Sequence, residues 1–176
     1  MSDASQTPDP HDQRAQRRAQ WNYAFATNVP HNHALGVDVL DLSADGARFF
    51  LRHRAELCGP GGSALAHGVI ATLLDGCSGA AVFAALPRLV PIATLDLRID
   101  YLRPCPPGTD LTCVARCTHL TETVGHASAQ VFATDPNAPV ATAVGAFMLS
   151  TKLGQVNAGS GAAPGGPAGP RSGGTP

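Results

Sequence analysis

One carboxylate, Asp75, lies in the middle of an apolar run, LAHGVIATLLDGCSGAAVFAAL, that spans residues 65–86. A carboxylate in such surroundings is either structural, accepting hydrogen bonds from neighbouring chain, or kept reactive as a general base or nucleophile. The spacing does not separate these two roles. His67, near the start of the same run, is the second candidate for acid-base chemistry, but the favoured role for its imidazole is to brace the turn by hydrogen bonding to the backbone.

The segment that leads into this run, CGPGGSALAHG at residues 58–68, consists mostly of glycine and other small residues. It lacks the Lys-Ser/Thr pair of a P-loop and does not match GxGxxG, so nucleotide binding is not predicted. Small residues at the start of a helix still present free N–H groups at the positive end of the helix dipole. Such groups can polarise a carbonyl or hold an oxyanion.

Helix geometry constrains how these groups could cooperate. At about 1.5 Å per residue, Asp75 lies about 10 to 12 Å from the N–H groups at the start of its own helix. Two antiparallel helices packed across a two-fold axis would bring both groups to one reacting carbon. An active site here therefore predicts a dimer with shared sites.

The bulk composition excludes several classes of partner. Charged residues make up 14% of the 176 residues and the net charge is -1, so no basic field attracts nucleic acid or an anionic membrane. The N-terminal residues 1–20 are polar and interrupted by proline, without the apolar segment of a secretory signal. A cytoplasmic location is expected, and five cysteines, an odd number in a chain too large to need disulfides, fit a reducing compartment.

Cys113, Cys117 and His119 fall at even offsets, so in a strand they would share one face and could hold a metal ion. No CxxC motif is present and a fourth ligand is not evident, which favours packed thiols. No metal is predicted.

Hydrophobic patterning predicts an α+β domain. Residues 12–28 favour a helix with Trp21 and Phe25 on one edge. Residues 34–52 alternate around a Ser-Ala-Asp-Gly turn, as in a hairpin. After the apolar run, IATLDLRIDYLRP predicts a half-buried antiparallel strand, and three further strands follow; its expected buried face comprises Leu95, Leu97, Ile99 and Tyr101.

The sequence divides into three segments. Residues 1–11 and the Gly/Pro/Ala-rich residues 154–176 are predicted to be disordered, because such a tail buries too little apolar surface to offset chain entropy. Residues 12–153 are predicted to form one domain. Within it the apolar run is long enough to cross a membrane, but a central Asp75 and abundant Gly and Ala favour a helix buried under the sheet.

The sequence resembles the hotdog-fold acyl-CoA thioesterases, especially the phenylacetate-pathway and 4-hydroxybenzoyl-CoA type. The resemblance is carried by HALGVDVLDL, HGVIATLLD, TLDLRIDYLRP and PVATAVGAFML, and covers roughly residues 31–150. It implies a hotdog fold, in which an antiparallel sheet wraps around one long central helix, here with an added N-terminal helix.

By this resemblance, His67 and Gly68 occupy the turn whose backbone N–H, from Gly68 or Val69, polarises the thioester carbonyl. Asp75 corresponds to the carboxylate that acts from the facing subunit, and Thr94 to a hydroxyl that helps to place the water. The implied reaction is hydrolysis of an acyl-CoA to a carboxylate and CoA in a homodimer or a dimer of dimers, without a metal or redox cofactor.

Cations at the rim of the site would bind the CoA phosphates, and Arg103, Arg88 and Arg52 are the candidates. For any one of them, an ordinary solvated surface charge is the favoured interpretation. The chain has one glycine after His67 where the family usually has two, and Gly61 and Gly62 where many members carry Asn or Gln. These differences keep open a non-catalytic protein that binds an acyl-CoA or acyl-carrier ligand. A dehydratase or isomerase on the same fold is a third alternative.

Overall fold

The structure of the protein is a computed structural model that describes residues 10–88 and 90–149. The predicted disordered tail, residues 154–176, and most of the predicted disordered N-terminus, residues 1–11, lie outside the described residues. Helix α1 begins at Pro10, two residues before the predicted start of the domain. The limits of the 12–153 domain stay predictions.

The described chain forms three α-helices and one six-stranded antiparallel sheet. The six strands and the helices α1 and α3 were predicted from the patterning, and α2 was not. The sheet order is β1-β2-β4-β5-β6-β3, so β1 and β3 are its two edges. In chain order the elements are α1 (Pro10–Trp21), a π-helical turn (Asn22–Thr27), α2 (Pro30–Leu35), β1 (Val37–Ser43), β2 (Gly46–Leu51), α3 (His67–Ala85), β3 (Ile92–Tyr101), β4 (Leu111–Leu120), β5 (Val124–Phe132) and β6 (Ala141–Leu149).

The apolar run forms α3, which lies in the concave face of the sheet. Among the described helices, α3 alone has the length and composition to cross a membrane, but it packs against all six strands. Ile70, Leu73 and Leu74 are almost completely buried. At Gly125 on β5 the helix approaches so closely that an added Cβ would overlap Val82, which explains why glycine occupies this position. The core helix predicted for this run is confirmed.

The N-terminal helix docks through the aromatic edge predicted for it. The rings of Trp21 and Phe25 lie 6.3 and 5.4 Å from the ring of Phe83 on α3. Asn22 bonds both the N–H and the carbonyl of Val39 through its side-chain amide, at 2.8 and 2.9 Å. This amide covers part of the β1 edge, which would otherwise present unpaired backbone groups.

The predicted buried face of β3 is wrong for two of its four residues. Leu97 and Ile99 are half-buried, but Leu95 and Tyr101 remain 49% and 40% exposed. A bulge between Thr94 and Asp96 takes Leu95 out of the regular pairing with β6. Because β3 is an edge strand, no described strand pairs with its outer side.

Candidate active site

Asp75 is half-buried at the middle of α3 and lines a cavity of about 330 Å³. The helix contributes residues at i, i+3, i+4, i+7 and i+8, which share one face of a helix. Most of the remaining wall is apolar. The lining residues are Phe25, Val29, His31, Asn32, Thr72, Asp75, Gly76, Gly79, Ala80, Ile92, Thr94 and Phe147.

The packing of β3 against α3 brings Thr94 to Asp75. Its hydroxyl Oγ1 donates a hydrogen bond to Asp75 Oδ1 at 2.9 Å. Within residues 10–88 and 90–149, this is the one hydrogen bond found for the carboxylate. The second oxygen, Oδ2, is therefore available to a water molecule or a substrate in the cavity.

The turn at the start of α3 is held by Tyr101 rather than by the imidazole of His67. The two rings stack with centroids 4.3 Å apart and an interplanar angle of 22°. The Tyr101 hydroxyl donates to the His67 carbonyl at 3.1 Å. The side-chain hydrogen bond to the backbone of this turn, which was expected from His67, is thus made by Tyr101.

Of the two N–H groups predicted to bind an oxyanion, the structure favours that of Gly68. The Val69 N–H already donates to the Ala66 carbonyl at 3.0 Å, and the Val69 side chain is buried. No described residue accepts a hydrogen bond from the Gly68 N–H. Gly68 is exposed, and a Cβ added to it would meet nothing within 4 Å.

The single chain brings Asp75 together with Thr94 but not with Gly68. Seven helical positions separate Gly68 from Asp75, which corresponds to about 10 Å along α3. One subunit therefore carries the carboxylate and the free N–H at two separate places, as the helix geometry predicted.

Three polar residues of this cavity, His31, Asn32 and Thr72, were not predicted from the sequence. Thr72 Oγ1 donates to the Gly68 carbonyl at 2.9 Å and lies 3.0 Å from His31 Nε2. A hydroxyl has one proton to donate, so the proton of this bond belongs to His31 Nε2. Pro30 at the start and Gly36 after the end of α2 are the sequence signals that could have identified the short helix carrying His31.

The three arginines proposed for CoA phosphates are exposed, and each follows the end of a different element. Arg103 follows two residues after Tyr101 and so lies near the Gly68 turn. Arg88 follows the opposite end of α3, about 27 Å from its start. Arg52 directly follows β2.

The strand cysteines do not point to one metal site. Cys113 is fully buried beside Cys77, and burial raises the pKa of its thiol well above the usual value. Cys117 instead directs its thiol to the His119 carbonyl at 3.6 Å, and partial burial raises its pKa. Within the described ranges, no three His, Cys, Asp or Glu side chains are grouped as metal ligands.

An antiparallel sheet wrapped around one long helix is the hotdog fold, as predicted. The family model of the thioesterase superfamily matches residues 62–140. The crystal structure of a Pseudomonas aeruginosa protein is similar with a TM-score of 0.66 and 30% identity, covering 78% of this chain and 98% of that chain. This chain belongs to the thioesterase superfamily, and the comparisons together support thioester or ester hydrolysis as the general chemistry.

Two further proteins are similar to this chain. A protein of Halobacterium salinarum, named as a candidate esterase, is 39% identical over 101 residues, which are 55% of this chain and 66% of that protein. The PaaI protein of E. coli, from the phenylacetic acid degradation operon, shares the fold. Its TM-score is 0.66 at 21% identity, with 78% of this chain and 94% of that chain covered.

Proposed function

We propose that this protein hydrolyses an acyl-CoA thioester to a carboxylic acid and CoA, with Asp75 as general base or nucleophile. The observation that carries the proposal is the Asp75–Thr94 pair in the wall of a mainly apolar cavity. A purely structural carboxylate would be expected to accept several hydrogen bonds, whereas this one has a single donor among the described residues. Membership of the thioesterase superfamily and the esterase name of the Halobacterium relative support the same chemistry.

The proposed site is shared between two subunits of a homodimer. The thioester carbonyl would accept a hydrogen bond from Gly68 N–H of one subunit while Asp75 of the other lies at the carbonyl carbon. Antiparallel packing of two α3 helices supplies this arrangement. The exposed Leu95, Tyr101 and Leu102 at the free β3 edge support a partner subunit on that side, because such apolar exposure is typical of an interface.

In the proposed reaction Asp75 takes a proton from water as the water oxygen attacks the carbonyl carbon. The oxyanion formed there is stabilised by Gly68 N–H, and one such donor is worth about 3 to 4 kcal/mol in other acyl-transfer enzymes. The C–S bond then breaks, and the CoA thiolate takes up a proton. If Asp75 attacks directly, an anhydride forms first and water cleaves it. Neither route needs a metal or redox cofactor.

The experiment that tests this proposal measures thiol release from short, medium, long and aromatic acyl-CoAs. Asp75→Asn keeps the size of the side chain and removes its charge, so we expect kcat to fall by about 10² to 10⁴-fold. The matched control is Asp38→Asn. It makes the same change in a carboxylate on β1 that pairs with Arg18 of α1. Turnover by Asp75→Asn at the wild-type rate would refute the assignment.

A non-catalytic acyl-CoA-binding protein is the second candidate function. It is favoured by the turn itself, because Val69 follows Gly68 and its N–H is already bonded. A binding assay with the same acyl-CoAs separates the two functions. Tight binding without thiol release from any of them would establish the binder and exclude the hydrolase.

A further inference from the structure

Two consecutive backbone carbonyls at the start of α3 accept hydrogen bonds from side-chain hydroxyls. Tyr101 donates to the carbonyl of His67 at 3.1 Å, and Thr72 donates to that of Gly68 at 2.9 Å. These carbonyls belong to the two peptide planes that meet at the Cα of Gly68. Glycine has the widest backbone freedom of any residue, so the two bonds restrict the turn where it is intrinsically most mobile.

The bond from Tyr101 acts on the peptide group that contains the proposed oxyanion donor. The carbonyl of His67 and the N–H of Gly68 belong to one planar unit and point in opposite directions. A hydrogen bond at the carbonyl end therefore sets the direction of the N–H at the other end. It also polarises the unit, which strengthens the N–H as a donor.

The next peptide group is held at both of its ends. Its carbonyl, that of Gly68, accepts from Thr72, and its N–H, that of Val69, donates to the carbonyl of Ala66 at 3.0 Å. Thr72 is itself held by His31, whose Nε2 lies 3.0 Å from the hydroxyl oxygen. Rotation about both backbone bonds of Gly68 is therefore restrained by side chains from α2, α3 and β3.

The stack between His67 and Tyr101 explains how a residue that is 40% exposed can hold this position. Ring centroids 4.3 Å apart and nearly parallel planes keep the phenol ring over the turn. Removing the hydroxyl alone would leave the stack in place. The contribution of the hydrogen bond can thus be separated from the packing of the ring.

We infer that Tyr101 is a positioning residue that aims and polarises the Gly68 N–H, and that Thr72, held by His31, completes the brace. The inference rests on the proposed hydrolysis. In a turn with one glycine, where the following N–H is already engaged, the direction of this donor matters directly for the developing oxyanion.

The first test compares Tyr101→Phe with the wild type in thiol release. We expect kcat to fall about tenfold with KM changed by less than about twofold, since misplacing a catalytic group by 1 Å can cost about 100-fold. The matched control is Tyr23→Phe at the other tyrosine of the chain, which is 64% exposed, and it should keep the wild-type kcat. If the wild type is active and Tyr101→Phe has an unchanged kcat, the positioning role of Tyr101 is overturned while the proposed hydrolysis still stands.

The second test asks whether Tyr101 acts through Gly68. Gly68→Pro removes the N–H, so adding Tyr101→Phe to that variant should cause no further loss of kcat. If the two changes acted independently, their losses of kcat would multiply. A further tenfold loss of kcat in the double variant would therefore show that Tyr101 does not act through Gly68.

The third test does not depend on turnover. In protein labelled with ¹⁵N-glycine, the Gly68 amide peak is assigned by its absence in Gly68→Ala. Tyr101→Phe should shift this peak, and Tyr23→Phe should leave it in place. An unmoved peak would show that the brace does not exist. An inactive wild type would refute the proposed function, and with it the positioning role, even if the peak shifts.

Discussion

Two inactive variants of this protein should form an active enzyme when their subunits are paired. The changes are Asp75→Asn, which removes the carboxylate charge, and Gly68→Pro, which removes the oxyanion donor. Gly68 is the second residue of α3, where the backbone N–H has no intrahelical acceptor to lose, and the space beside its Cα is open. Each variant should therefore fold while lacking one half of every site.

The expected size of the recovery follows from the geometry of α3. Within one chain the two groups are separated by about 10 Å along the helix axis, whereas each must lie about 3 Å from the reacting atoms. A site that uses both groups would therefore need two subunits. In a mixed dimer one site has both changes and the other has neither, so purified mixed dimers should show about half of the wild-type activity.

The assay uses co-expression of the two variants with different affinity tags, purification through both tags in succession, and thiol release per dimer. The separate homodimers are the controls and should each have less than about 1% of the wild-type kcat, since each lacks a group worth about 100-fold or more. Mixed dimers that are no more active than their two parents would refute the shared site. Gly68→Ala, which keeps the N–H, tests whether a side chain alone at this position disturbs the turn.

Two other predictions concern Asp75 and the buried thiols. Thr94→Val should lower kcat about 10- to 100-fold, because a hydrogen bond to a charged group is worth about 1.5 to 3 kcal/mol. Thr94→Ser keeps the hydroxyl and should retain most of the activity. Equal rates for the two variants would contradict the role of the hydroxyl. Burial raises the pKa of Cys113. The contribution of its protonated thiol to the free energy of unfolding is therefore complete below the unfolded-state pKa of about 8.5. It is lost as pH rises above that value, by up to about 1.4 kcal/mol per pH unit. Urea unfolding at pH 7 and pH 10 should show a smaller loss of stability in Cys113→Val than in the wild type, and equal losses would contradict this linkage.

The sequence was most informative where a pattern repeats over many residues. The all-round apolar character of residues 65–86 predicted the core helix, and the alternation before and after it predicted the strands, because burial imposes these periods on any chain. Trp21 and Phe25 were placed correctly because residues four apart on a helix share one edge. The cytoplasmic location, the roles of the arginines and the closer relation to one thioesterase subgroup stay predictions.

The sequence was least informative about contacts between distant segments. Nothing in the spacing predicted the bulge that exposes Leu95, because a bulge depends on the pairing of β3 with β6. The bonds that Asn22 makes to Val39, and the link from His31 to Thr72, join residues that local patterns treat separately. Each is a polar side chain in an unremarkable context, so composition and periodicity carry no signal for it.

The sequence by itself determined that Asp75 lies on a buried helix, eight positions after His67, because helical rise and hydrophobic periodicity are local properties of the chain. The tertiary structure alone decided which groups are free to act. It placed the Thr94 hydroxyl on one oxygen of Asp75, engaged the N–H of Val69 and left that of Gly68 without a described acceptor. Hydrogen bonds are short and directional, so their partners are set when the helix and the strands pack together.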